Sequence, residues 1–213
     1  MATLILRPVS DESIGHAYSS GDSGYAMISE PSADDDSTYI YQTVSSTSSA
    51  SVTSSFTLGG TMPSGSFKIT GATLYVRGKS SANHTYSGTY QLSIDSSASS
   101  MSLSTSYQTS SSGVATSLIN NTYTSSNFPS LSVTITTAGK KSSSKNSNFQ
   151  IRITQIYLEL KYEEIVEEPS AYYTKINGSW KKITTIYKKI DGVWTKFDYS
   201  HTDDEKLVYK GHI

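Results

Sequence analysis

The sequence predicts an all-β protein: a jelly-roll-like β-sandwich followed by a small C-terminal β-hairpin domain. Three observations carry the expectation. Only 16% of the residues are charged, and Ser, Thr and 16 Tyr fill their place, a composition that suits half-buried pleated surfaces with polar outer faces. Short segments of period-two hydrophobicity recur between Ser/Gly-rich turns, and no segment of helical period alternates with them. Near the end, the pattern K-I-[ND]-G-x-W-x-K-[IF] occurs twice, at Lys175–Ile183 and at Lys189–Phe197.

The elements follow in order. Thr3–Arg7 is a β-rich run ended by Pro8, which has no N–H to give to a ladder. Thr38–Val44, Lys68–Arg77, Tyr86–Ile94, Leu131–Thr137 and Phe149–Tyr162 are the further strands of the sandwich. In the last, Phe149, Ile151 and Ile153 share one parity, whereas Ile156, Leu158 and Leu160 share the other. A phase change near Gln155 implies a β-bulge or bend, and a similar change around Gly71 separates Ile69 from Ala72, Leu74 and Val76. Ser45–Ser51, Ser96–Ser100, Ser110–Gly113 and Lys140–Ser147 read as connections, and Val114–Asn121 as a short helix.

The domain boundaries follow from these signals. Residues 1–162 form the sandwich, the acidic run 163–169 (EEIVEEP) is a linker, and residues 170–213 form the hairpin domain. Residues 1–167 carry 9 basic and 12 acidic groups and residues 168–213 carry 8 and 6, so the net charge changes from -3 to +2 across the linker. In the repeat, Asn177-Gly178 and Asp191-Gly192 lie between apolar runs. Such dipeptides are strong hairpin signals, because type I′ turns require positive φ. Leu207–Ile213 reads as a final strand.

Several function classes are disfavoured. With a net charge of -1, the chain lacks the basic surplus of a general nucleic-acid binder. It contains no Cys, so disulfides, thiolate metal sites and Cys nucleophiles are excluded. Met1–Arg7 has no basic n-region or long apolar run and is not expected to be a signal peptide, which implies synthesis in the cytosol. No stretch has the length of an apolar membrane helix.

The opening, LILRPVSDESIGHAYSSGDSGYAMISEPSADDDSTYIYQ, resembles the start of minor structural proteins from tailed bacteriophages and prophages of Gram-positive hosts. The Trp-containing hairpin repeat and the closing Leu207-Val208-Tyr209-Lys210-Gly211 resemble C-terminal segments of the same class of virion proteins. The resemblance covers roughly the first and last 45 residues. It implies a phage virion component made in the bacterial host cytoplasm, and it supplies no catalytic residues.

Candidate sites are few. Asp34, Asp35 and Asp36 offer hard oxygen ligands, but they lack the alternating spacing and distal Glu of a Ca²⁺ loop, so a solvated turn before Tyr39 is the expectation. No metal and no cofactor is expected. His16 near Asp11, with any of the many Ser residues, offers the residue types of a triad, but no G-x-S-x-G elbow is present. Asp95 and Glu159 are not tied together as a glycosidase pair. Lys140, Lys141 and Lys145 form a basic loop tip. Trp180 and Trp194, with Tyr172, Tyr173 and Tyr187, either build the small domain's own core or meet a subunit or sugar, and so small a domain tends to complete its core on a neighbour.

Together these lead to a non-enzymatic accessory building block of the virion: a decoration, head-fibre or collar component attached to capsid, neck or tail. Docking or homo-oligomerisation is assigned to Tyr173, Trp180, Tyr187, Trp194 and Tyr209. The alternative is a host-recognition tail module that binds cell-wall carbohydrate, for which Tyr86, Tyr90, Tyr107 and Tyr123 are the available aromatics.

Overall fold

Strict alternation of buried and half-buried residues builds two antiparallel sheets from the first 165 residues. In the computed structural model, residues 1–21, 23–32, 37–113, 117–165, 173–176, 178–182, 186–190 and 192–197 are described. Eleven strands belong to the first unit: β1 (Ala2–Ser13), β2 (Ala17–Tyr18), β3 (Ile40–Val44), β4 (Ala50–Gly59), β5 (Ser66–Ser80), β6 (Thr85–Leu92), β7 (Ser99–Ser100), β8 (Gln108–Gly113), β9 (Thr122–Tyr123), β10 (Leu131–Lys140) and β11 (Phe149–Ile165).

Pairing yields the order β1-β11-β5-β8 in one sheet and β4-β10-β6-β7 in the other, with first and last strands adjacent. Two four-stranded sheets wound in this sequence are a jelly roll. β3 and β2 extend the first sheet beside the start of β11, and β9 adds to β5.

β1 belongs to both sheets. Ala2–Leu6 pairs with Tyr162–Leu158 of β11, and from Arg7 onward the strand pairs with β4, Pro8 lying opposite Leu58. Pro8 therefore does not end the strand as expected. It stands where β1 leaves one partner for the other, a position where a missing N–H breaks little of either ladder.

Both phase changes in the sequence are bulges. β11 inserts Thr154 between Ile153 and Gln155, and β5 inserts Thr70 between Ile69 and Gly71. The expected helix over 114–121 is not found in its described part, where residues 117–120 form turns and Asn120 has φ 68. β11 also continues through Glu163, Glu164 and Ile165, paired with Lys68, Phe67 and Ser66. Exposed carboxylates at a strand end are solvated and do not oppose pairing, so the strand runs three residues into the stretch read as linker.

The core between the sheets gathers Leu4, Leu6, Phe56, Phe67, Ile69, Leu74, Val76, Tyr90, Leu131, Val133, Ile156 and Leu158, all buried. A smaller cluster of Val44, Phe149 and Ile151 lies at one end.

The second unit, Val166–Ile213, contains two separate hairpins. β12 (Tyr173–Ile176) pairs with β13 (Ser179–Lys182), and β14 (Ile186–Ile190) pairs with β15 (Val193–Phe197). Gly178 and Gly192 have φ of 81° and 84°, the left-handed conformation that the sequence motif requires at the turn.

Candidate functional site

His16 is only 2% exposed, and its surroundings settle its tautomer. Ser54 Oγ accepts the N–H groups of Gly15 and His16, each at 3.1 Å. Both its lone pairs are then in use, so its O–H donates to His16 Nδ1, 2.8 Å away. His16 Nε2–H donates to Thr137 Oγ1 at 2.9 Å, Thr137 donates to Gln42 Oε1 at 2.8 Å, and Gln42 Nε2 donates to the Ala50 carbonyl at 2.8 Å. The chain of bonds is directed, and every member is satisfied.

This polar layer divides the core. On β3, Gln42 separates Ile40 of the main cluster from Val44 of the small one, and on β10 Thr137 follows Ile135. Burial pushes the His16 pKa down to about 4, so the neutral ring that the bonds require is the stable form. The layer ties β4 and β10 to β3, across the two sheets.

That geometry answers the triad question for His16. Its serine is buried and pinned by two backbone donors, and Asp11 is engaged elsewhere, its two oxygens accepting Gly24 N–H and Tyr25 N–H at 2.9 and 2.6 Å. Asp95 follows β6 in one sheet, whereas Glu159 lies on the outward side of β11 in the other. An open groove of 570 Å³ is lined by Met1, Ala2, Tyr162, Glu163 and Glu164. Its two carboxylates are adjacent residues at the exposed end of β11.

Among the described residues, no three His, Asp or Glu side chains are grouped to hold a metal ion, and no helix is long and apolar enough to cross a membrane. Asp34, Asp35 and Asp36 lie outside the described residues, as do Tyr172 and Tyr209.

The two outer faces of the sandwich differ in chemistry. On the β4-β10-β6 sheet the outward residues include Thr53, Ser55 and Thr57, then Ser132, Thr134 and Thr136 with Lys140 at the strand end, then Ser87, Thr89 and Gln91. Hydroxyls pair directly across it, Thr53 with Thr136 and Ser55 with Thr134, both at 2.9 Å.

The outer face of the β1-β11-β5 sheet is cationic and aromatic. It carries six of the nine basic residues of unit 1: Arg7, Lys68, Arg77, Lys79, Arg152 and Lys161. All three arginines of the chain are among them, and each guanidinium lies over a tyrosine. Arg7 is 5.1 Å from the Tyr157 ring centroid, Arg77 is 5.6 Å from Tyr107, and Arg152 is 4.4 Å from Tyr39. Lys79 Nζ lies 4.1 Å from the Tyr107 ring.

Register explains the assembly. Tyr41, Arg152 and Lys79 are cross-strand neighbours on β3, β11 and β5, and Tyr157 is opposite Tyr75. Their rings stack at 4.6 Å and 13°. Burial raises the Tyr157 phenol pKa, nearby Tyr75 and Glu159 add to this, and Arg7 opposes it. Burial also lowers the Arg7 pKa, with Tyr157 opposing. Arg7 is anchored on the Glu30 and Pro31 carbonyls, and Arg152 through Nε on Gln150 Oε1.

Of the aromatics considered for carbohydrate, only Tyr107 lies on this face. Tyr90 is core, Tyr86 packs on the Val44 cluster, and Tyr123 packs on Phe67 and Phe128. The sequence held the signal for two others, since Tyr75 and Tyr157 alternate with Leu74, Val76, Ile156 and Leu158 and so point outward.

The hairpins repeat one arrangement. Tyr187 is opposite Lys196 and Lys189 opposite Trp194, and in the other hairpin Tyr173 is opposite Lys182 and Lys175 opposite Trp180. Trp194 is 66% exposed, Val193 66% and Tyr187 55%, and Lys189 Nζ is 5.9 Å from the Trp194 ring. Residues 173–197 hold six Lys and one acid, Asp191, for a net +5.

No known family model matches the chain, and no characterised protein matches it.

Proposed function

We propose that this chain is a non-enzymatic accessory structural protein of a tailed-phage particle, a decoration, head-fibre or collar component whose hairpins dock it to capsid, neck or tail proteins or to further copies of itself. The observation that carries this reading is the pair of hairpins with one repeated Tyr/Lys and Lys/Trp register, the second of which exposes Trp194, Val193 and Tyr187. Isolated two-stranded hairpins are marginal in water, and large aromatics at such exposure gain most by being covered on a partner. The jelly roll supports the reading by analogy of fold, as it serves many viral shells. The phage-like opening and closing segments supply the biological setting.

The double variant Trp180→Ala/Trp194→Ala tests it. The sandwich has its own core, so the variant keeps its β circular-dichroism spectrum but is missing from purified particles. Normal incorporation of the variant overturns the assignment. Immunogold labelling of wild-type particles then places the protein on head, neck or tail.

A further inference from the structure

We infer that the outer face of the β1-β11-β5 sheet is a binding site for an acidic polysaccharide, a polymer whose sugars carry repeated carboxylate or phosphate groups. This goes beyond the docking role of the hairpins and does not depend on it.

The first argument is charge complementarity. Among the described residues, strands β1, β5 and β11 present six cations on this face against Glu159 and Glu163, in a chain whose net charge is -1. Solubility alone spreads charges of both signs around a domain, yet the middle of the opposite face is built of hydroxyls, with Lys140 and Glu12 at its margins. Concentration of cations on one side is an attractive field for a polyanion.

The second argument is preorganisation. A guanidinium held over an aromatic ring keeps its planar fork in a fixed orientation, so little rotamer freedom is lost when an oxyanion is bound in two-pronged fashion. Arg152 is fixed over Tyr39 and anchored through Nε, the nitrogen outside its terminal fork. Arg77, over Tyr107, is oriented by one nitrogen of its fork, Nη1, which donates to Thr109 Oγ1 at 3.1 Å, so it adds positive charge beside Arg152 more than a second two-pronged donor. Arg152 is opposite Lys79 and Gln155 opposite Arg77 on adjacent strands, which forms a cationic band between Tyr39 and Tyr41 on one side and Tyr107 on the other.

The same geometry chooses the polymer. Binding of single-stranded nucleic acid uses open aromatic faces on which bases stack. Here most of those faces are engaged: Tyr39, Tyr107 and Tyr157 carry cations, Tyr75 stacks on Tyr157, and Tyr41 meets Tyr39 edge-on. The face therefore offers charged, hydrogen-bonding chemistry, which suits a polyhydroxylated acidic chain.

The test uses the full chain, with hyaluronan as a carboxylate-bearing polysaccharide, dextran as a neutral one and oligo-dT as a nucleic acid, in affinity electrophoresis at low and high salt. Wild type is expected to be retarded by hyaluronan in a salt-sensitive way and not by dextran. Arg77→Gln/Arg152→Gln should weaken retardation by about tenfold or more, with an unchanged circular-dichroism spectrum. Lys189→Gln/Lys196→Gln, on the hairpin, should leave it unaltered. Equal binding of dextran, tighter binding of oligo-dT, or loss confined to the hairpin variant would each overturn the proposal. So would a sandwich-face variant that binds like wild type.

Discussion

Acid should unfold the sandwich through His16 before it does so through general charge. In the folded state the ring is neutral with a pKa of about 4, whereas an unfolded His titrates near 6.5. Between those values the unfolded chain binds more protons, so stability falls as pH falls through the window and levels off below it. A difference of about 2.5 units corresponds to a full cost of roughly 3 kcal/mol, of which about 2 kcal/mol is already lost at pH 5. The structural reason is specific: a proton on Nδ1 would face a Ser54 oxygen whose lone pairs already accept two backbone N–H groups. Urea unfolding of the wild type and His16→Gln at pH 7, 5 and 4 isolates the effect, since carboxylate contributions are common to both. The wild type should lose about 3 kcal/mol more than the variant between pH 7 and 4. Parallel loss in the two proteins, or an NMR titration of the His16 ring with a midpoint above 6, refutes the reasoning.

Two further substitutions probe the frame around the two layers. In Gly78→Ala, the new Cβ would lie 2.7 Å from the Arg152 carbonyl oxygen and 2.9 Å from Ile153 Cδ1, at the β11 bulge. Overpacking against backbone there should cost about 1–3 kcal/mol, and a urea midpoint equal to that of wild type would show that the bulge yields freely. Asp11→Ala removes the acceptor of two backbone N–H groups at the 3-10 turn Tyr25–Met27. A loss of about 1–3 kcal/mol is expected, with faster hydrogen exchange at Gly24 and Tyr25; unchanged exchange there would mean that the turn holds itself.

Strands whose inward residues are Ile, Leu and Val, such as β5, β10 and β11, were legible in the sequence, including both bulges, because a period-two pattern that shifts phase has few other meanings. β4 and β8 were not. In β8 and the middle of β4 the inward positions include Ser110 and Ser54, so polar residues alternate with polar residues there. Phe56 and Leu58, at the end of β4, alternate with Ser55 and Thr57, a signal too short to mark a strand alone. Ser54 is inward because a histidine brought from residue 16 needs it, a relation invisible from either segment alone. Pro8 misled for a related reason: whether a missing N–H matters depends on which partner strand lies beside it. The hairpin motif was legible to the turn glycines, since positive φ is demanded locally. The Tyr/Arg face was legible only in part. The parity of Tyr75 and Tyr157 marks them as outward, but the seating of Arg152 over Tyr39 and beside Lys79 requires the order of three strands.

The buried layer and the cationic face meet on the same short elements. β2 begins immediately after His16, and its Ala17 pairs with Tyr41 of β3, whose neighbour Gln42 completes the hydrogen-bonded layer from inside. Tyr41 in turn lies opposite Arg152, and Tyr39 makes an edge contact with Tyr41 at 5.7 Å. β3 is only five residues long, its inward side held by Ile40, Gln42 and Val44. Ile40 and Val44 are both buried, and between them the bonds through Gln42 add a polar hold on β4 and β10. Loss of the neutral His16 would loosen β2 and β3 first, and with them the Tyr39 and Tyr41 side of the arginine platform, while the β5 side, with Arg77, Lys79 and Tyr107, rests on the long β5–β11 ladder. The interior histidine thus bears on the outer face through one strand's alternation, with Gln42 turned inward and Tyr41 outward.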